Sequence, residues 1–289
     1  MRTNVKKRIK KTPGQAVVFA IAFVIIAFFS LSYVYTLAWG FIAGLNTNDG
    51  LILKPFDFPE KLLFVNYVNI FSEFVIGGVN FGMMTLNSLW LTLGGAFLEV
   101  ACATGLGYVT SKYRFRGSKL IHFVALLIMM IPIYGNMPAR YRLVYQLGIN
   151  DSVAYLITYT SGIGFNYLMA YSFFKSVSWT YAEAGFIDGA NDFVVFFRIM
   201  LPQAMGPISA LFVIQCIGIW NDYQNPLLYL RNMPTLATGL YLFGNEANAA
   251  GHLELLMAGT MVSIIPILVL YFIFNKALLN ETVAGGIKG

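Results

Sequence analysis

Few residues in this 289-residue chain could do chemistry, and their spacing limits what that chemistry is. His122 and His252 lie far apart and stand without companions, so neither reads as a metal ligand or a catalytic base. Cys102 and Cys216 both lie inside apolar runs and read as small buried residues rather than as a disulfide or a metal pair. Glu99 is the only charge in the apolar run 83–109. An ionisable residue so placed faces the interior of a helix bundle, where it meets either a transported solute or a neighbouring helix. Gln215 and Asp222 lie seven apart and share a helical face, with Asn221 beside Asp222; Tyr155 and Tyr159 lie four apart with Asn166 further on. Together these are the candidates for a polar path. The tyrosines also suit an interfacial aromatic belt, and Asp222 also suits a membrane boundary. The sequence holds no G-x-x-x-x-G-K-[ST] loop to cradle a nucleotide phosphate, so ATP chemistry would have to lie on another chain.

The elements that must position these residues are membrane helices. The chain is 58% hydrophobic and 11% charged, with mean hydropathy +0.68. Soluble domains carry about 25% charged residues, so a soluble protein is excluded. The net charge of +6 does not point to nucleic acid, because the charges cluster at the ends of apolar runs. Six segments reach the roughly 20 apolar residues that cross a bilayer as a helix. They are 16–40, 83–109, 120–138 (broken by Pro132), 152–174, 205–223 and 255–274 (containing Pro266). The fold class that follows is an all-α integral membrane protein: a basic amino end, 1–15, then one transmembrane domain, 16–289. The first apolar run is about twice a signal-peptide core, so it reads as an uncleaved span. With the amino end inside, fourteen lysines and arginines fall on the inner side and five on the outer, which places both termini in the cytoplasm. The outer segment 47–82 is long, and Phe64 to Phe71 suits an interfacial helix.

Between the fourth and fifth runs lies a patterned polar island, Lys175 to Met205. Thr180-Tyr181-Ala182-Glu183 reads as a capping box, with Thr180 as N-cap and Glu183 reaching back. Asp188-Gly189 is a turn signal, and Gly189 suits the left-handed residue that ends a helix. Asn191 or Asp192 can cap a second helix through Phe193–Arg198, and Pro202 breaks the pattern before the next apolar run. The island therefore writes helix, glycine corner, helix on the cytoplasmic face. Tyr181, Ala184 and Ile187 or Asp188 share one face of the first helix. Phe193, Phe196 and Phe197 read as packing against the spans.

Glu183-Ala184-Gly185, Gly189 and Ile199-x-Leu201-Pro202 resemble the cytoplasmic EAA loop of ABC importer permeases. Asn87-Ser88-Leu89, Tyr113-Arg114-Phe115-Arg116-Gly117, Leu147-Gly148-Ile149-Asn150-Asp151, Trp220-Asn221-Asp222-Tyr223 and the tail from Val283 to Gly289 resemble the maltose-type, carbohydrate-uptake branch. The resemblance implies a non-catalytic permease subunit in a bacterial cytoplasmic membrane. It implies a second, similar permease subunit, two ATPase subunits that hold ATP and Mg, and an extracytoplasmic sugar-binding protein, all in membrane lipid and without nucleic acid. It implies that loop 175–204 seats on the ATPase, with Tyr181, Glu183, Ala184, Gly185, Asp188, Gly189 and Pro202 as coupling residues. Gly185 departs from the pattern, where the family has Ala. Glycine costs about 1 kcal/mol in a helix interior, so the departure implies a looser helix or a close approach by a partner.

An ion-gradient-driven secondary transporter of a small polar solute is the alternative, but it predicts an internal repeat that the sequence lacks and leaves the island unexplained. An intramembrane enzyme would need a convergent acid, base or metal set, which Glu99 and His122 do not supply. The orientation makes a direct prediction. Single cysteines at 48, 118 and 248, in a background lacking Cys102 and Cys216, should be labelled from outside intact cells at 48 and 248 only. Labelling at 118 would reverse the topology.

Overall fold

The computed structural model describes residues 12–131, 137–245 and 251–284. The basic residues of the amino end, Pro132, position 248 and the final five residues of the glycine-rich tail lie outside the described residues. The chain opens with α1 (Pro13–Gly44), started by a capping box between Thr12 and Gln15 with proline at the first helical position. The outer segment then folds into α2 (Asn48–Leu53), α3 (Asn66–Glu73) and an antiparallel hairpin, β1 (Val75–Ile76) and β2 (Val79–Asn80). The hairpin turns on Gly77 and Gly78, at φ +56° and +82°, a two-residue turn that needs positive φ at both positions. α3 occupies most of the stretch expected to form an interfacial helix.

The bundle follows: α4 (Phe81–Lys112), α5 (Ser118–Met130), α6 (Met137–Gln146), a 3-10 helix (Val153–Tyr159) and α7 (Phe165–Ser176). Next come α8 (Thr180–Ile187), α9 (Asp192–Val194), a π-helical stretch (Val195–Met200) and α10 (Leu201–Gln203). α11 (Met205–Asn221), α12 (Gln224–Tyr229), α13 (Leu236–Asn245) and α14 (Leu253–Ala284) complete the chain.

Among the described residues, α1, α4 and the part of α14 from Leu253 to Phe274 are each long and apolar enough to cross a membrane. The stretch Asp192–Gln203 with α11 makes a fourth candidate, bent by 76°. Two of the apolar segments, 120–138, expected to be broken at Pro132, and 152–174, expected to be continuous, are not single helices. The run 152–174 is a 3-10 helix, a break at Gly162 and Gly164, and the 12-residue α7. Gly162 and Gly164 sit at φ +59° and +145°, backbone that a helix cannot contain. In the run 120–138, α5 ends at Met130, and Met137 and Pro138 already belong to α6.

α4 is the central post of the bundle and packs against α7 and α11 along most of its length. Its two ends enter different cores. At its start Phe81 and Met84 join Ile70, Phe74, Phe243 and Leu255; near its end Tyr108 joins Phe174, Val195 and Met200. Gly107 sets the spacing between α4 and α7. A Cβ placed there would lie 2.8 Å from the Tyr171 amide nitrogen and 2.9 Å from the Ala170 Cβ, so the two backbones approach only because the side chain is absent. Gly107→Val should therefore force the helices apart and destabilise the chain by about 1–3 kcal/mol, the usual cost of overpacking. Thermal unfolding of the purified protein measures it; an unchanged midpoint would show that α4 and α7 separate freely.

Candidate functional site

The polar island folds as a helix, a glycine corner and a second helix, at the same end of α4 as the basic stretch Lys112–Lys119. In α8, Ala182 and Gly185 are buried, while Tyr181, Glu183, Ala184, Ile187 and Asp188 are exposed. Ile187 is 86% exposed, an apolar side chain left uncovered at the tip of the island. Gly189 follows at φ +83° with nothing within 4 Å of a Cβ built on it. The corner is thus limited by backbone conformation alone, not by space. Asn191 caps the second helix, its side chain accepting from the Val194 amide at 2.9 Å.

Four local expectations change. The capping box at Thr180 does not form: Trp179 is the N-cap, and Ser178 Oγ accepts from the Thr180 amide at 3.3 Å while Glu183 points to solvent. A serine two residues before the helix body reaches that amide, which frees Glu183. Gly185 serves an approach within the chain. A Cβ there would lie 2.5 Å from Ile199 Cδ1 and 3.3 Å from Val195 Cγ2, so the glycine lets the two island helices close on each other. Phe196 packs against Tyr108, as expected, but Phe193 and Phe197 are exposed, Phe193 at 76%. Pro202 does not end the second helix; it lies within α10, and the break comes at Ala204, where the chain bends into α11. Proline has no amide hydrogen and crowds the carbonyl four residues back; the π-helical stretch just before it widens the backbone there.

Deeper in the bundle Glu99 joins three helices. Asn166 Nδ2 of α7 donates to Glu99 Oε1 at 3.0 Å, and Gln215 Nε2 of α11 donates to Glu99 Oε2 at 2.6 Å. Asn166 Nδ2 also donates to Gln215 Oε1 at 3.2 Å. Asn166 is 6% exposed, and Glu99 and Gln215 are half-buried. The expectation that Glu99 and Gln215 face the bundle interior is met, and sequence spacing alone did not pair them. One turn from Glu99, Gly95 receives the ring of Tyr159, which lies 3.3 Å from a Cβ built there. Removing the shared acceptor leaves buried amide hydrogens without partners, at about 1–3 kcal/mol for each unsatisfied group. Glu99→Leu should lower the thermal midpoint of the purified protein clearly, and Glu99→Gln less, since its carbonyl still accepts one amide. Equal midpoints for the parent and Glu99→Leu would show that the junction does not hold the bundle.

A second polar cluster, which the sequence reading missed, surrounds Arg140. Arg140 NH2 donates to the Tyr155 hydroxyl at 3.2 Å and to Thr158 Oγ1 at 3.4 Å, and NH1 donates to Asn225 Oδ1 at 3.4 Å. The guanidinium lies over the Tyr229 ring at 5.5 Å, and Tyr229 stacks on Tyr155. Tyr155 is fully buried and so forms no lipid-facing belt. It and Tyr159 share a 3-10 helix, not one face of an α-helix, and meet edge to face at 6.0 Å. Asp222 lies past the end of α11 and does not share a face with Gln215. Its carboxylate accepts from the Asn225 amide and side chain at 3.1 and 2.5 Å. Asn221 is exposed and donates back to the Ile217 carbonyl. Among the described residues, no three His, Cys, Asp or Glu side chains converge on a possible metal position; His122 stacks on Tyr171 and His252 pairs with Glu254.

Comparison with known proteins agrees with this geometry. Residues 103–281, which span the island and the helices around it, match the model of the binding-protein-dependent transport system inner membrane component family. The chain is 30% identical over 244 residues to an arabinooligosaccharides transport system permease protein, AraQ, of Halalkalibacterium halodurans, covering 80% of this chain and 81% of that one. It is 24% identical to the diacetylchitobiose uptake system permease protein NgcG of Streptomyces coelicolor, over 92% of this chain and 88% of that one. The fold matches a chain in the crystal structure of a bacterial ABC transporter involved in import of the acidic polysaccharide alginate. The TM-score is 0.77 at 21% identity, over 94% of this chain and all of the other. An all-helical bundle with an exposed helix-corner-helix island, matched over most of its length, belongs to the family of binding-protein-dependent transport system inner membrane components.

Proposed function

We propose that this chain is the permease subunit of an ATP-driven importer for a sugar or oligosaccharide and carries out no catalysis itself. The observation that carries the reading is the island: Ala182 buries its first helix against Tyr108 and Phe174 and Gly185 lets the second helix close on it, while Tyr181, Ala184 and Ile187 stand uncovered beside the Gly189 corner. A rigid knob with an apolar tip and two carboxylates, Glu183 and Asp188, suits a groove on a cytoplasmic ATPase that holds ATP and Mg. The carbohydrate class rests on relatives named for oligosaccharide uptake. A second permease subunit, two ATPase copies and an extracytoplasmic sugar-binding protein complete the assembly, with six spans and both termini in the cytoplasm.

The translocation path is read along the interior polar groups: Tyr155 and Tyr159 on the outer side, with Asn221 and Asp222 at the end of α11, then Glu99 and Gln215 deeper in. Carboxylates accept from sugar hydroxyls, and amides both accept from them and donate to them. The mechanism is alternating access: closure of the ATPases moves the knob, and the bundle opens the path toward the binding protein.

Gly189→Val tests this reading. A β-branched residue at φ +83° is strained by about 1–3 kcal/mol. The strain falls on an exposed corner, so the chain should still insert. Uptake of arabinotriose or diacetylchitobiose as probe, and co-purification of the ATPase, should both fall sharply. Glu183→Ala should act in the same direction but more mildly. Normal uptake and normal ATPase capture by the Gly189→Val complex would remove the coupling role.

A further inference from the structure

Two consecutive residues at the end of α4 hold the island at three separate points. Lys112 Nζ donates to the carbonyl of Val177, the residue that ends α7, at 2.5 Å. The Tyr113 hydroxyl donates to Asp192 Oδ1, at the start of the second island helix, at 2.6 Å. The Tyr113 ring meets Trp179, the N-cap of α8, edge to face at 5.7 Å. Burial, reinforced by the Asp192 carboxylate, raises the Tyr113 pKa above its ordinary value, so the hydroxyl keeps its proton and stays a donor. The approach to the island, its first helix and its second helix are thus each fastened to the same end of one helix.

That helix also carries Glu99, thirteen residues earlier, or about 20 Å along the axis. The geometry points to Lys112 and Tyr113 as positioning residues that make α4 and the coupling island one rigid lever, whose far arm is the Glu99–Asn166–Gln215 junction. This inference rests on the coupling role of the island and goes beyond it. The island could seat on an ATPase and still fail to move the path if its ties to α4 were slack. Of the two residues, only Tyr113 belongs to the stretches that carry the family resemblance, and there as part of the basic loop rather than of the coupling motif.

The test uses the assembled complex of both permeases, the ATPases and the binding protein in proteoliposomes, with arabinotriose or diacetylchitobiose as probe. Tyr113→Phe removes one hydroxyl and keeps the ring against Trp179. ATPase capture and ATP hydrolysis should stay within about twofold of the parent. Uptake per ATP hydrolysed should fall about tenfold, the scale of losing one hydrogen bond to a charged group. Asp192→Asn keeps an acceptor and should stay near the parent, whereas Asp192→Leu should match Tyr113→Phe. Lys112→Met removes the second tie and keeps the apolar stem, so it stands in if Tyr113→Phe assembles poorly.

A readout that needs no sugar is the distance between spin labels at positions 93 on α4 and 193 on the island, both exposed. It should stay fixed when the parent is trapped with MgATP and vanadate, and should broaden in Tyr113→Phe. Unchanged uptake per ATP in Tyr113→Phe and Lys112→Met, or a 93–193 distance that already shifts in the parent, would overturn the lever. Loss of ATPase capture in both Tyr113→Phe and Lys112→Met would also overturn it, by assigning the two residues to the fold of the island. Failure of the coupling reading itself is seen separately, as normal uptake in Gly189→Val.

Discussion

A carboxylate deep in an apolar bundle must be given donors, and the arrangement of this protein's central helices follows from that requirement. Glu99 draws its donors from Asn166 and Gln215, one from each helix packed against α4. The three side chains fix the rotation of α4, α7 and α11 about their axes more narrowly than apolar packing does. Leucine and phenylalanine accept many orientations, whereas a donor must meet an acceptor within a few tenths of an ångström. The glycine at position 107 completes the constraint by letting α7 approach on the island side of the junction.

The end of the bundle far from the island is held on different terms. Arg140 ties the 3-10 helix to α12 through neutral groups, Tyr155, Thr158 and Asn225, at 3.2–3.4 Å. Asn225 stands between the guanidinium and Asp222 and bonds both. Ties through neutral groups at these distances are weaker than the 2.6 Å contact between Gln215 and Glu99 or that between Tyr113 and Asp192. The bundle is fastened tightly at its centre and at the island end and more loosely at the opposite end.

Where one physical signal dominated, the sequence was sufficient. Continuous apolar length gave α1, α4 and α11 to within a few residues and the start but not the end of α14, and glycine stereochemistry gave the left-handed corner at Gly189. Where two signals compete, it was not. The run 152–174 is uncharged throughout, yet Gly162 and Gly164 break it, and hydropathy does not register backbone angles. Thr180 suits a cap by type, yet the chain path into α8 makes Trp179 the N-cap and turns the Thr180 amide to Ser178. The Arg140 cluster gathers residues from three separate segments, and no local spacing announces such a meeting. The Glu99 junction was half legible: charge in an apolar run marked Glu99, but its partners lie 67 and 116 residues away.

α1 runs for 32 residues, buries only Gly40, Ala43 and Gly44, and leans on α14, where Gly40 receives the tip of Met261. The chain is free of charge from Thr12 to Thr47. A helix of that length is about 48 Å long, against a hydrocarbon layer of about 30 Å. Such mismatch is relieved by tilt, and a helix anchored only near its carboxyl end tilts about that anchor. The amino-terminal three quarters of α1 thus bury no residue that would fix their tilt, and the helix presents an apolar flank for lipid or another membrane helix to cover.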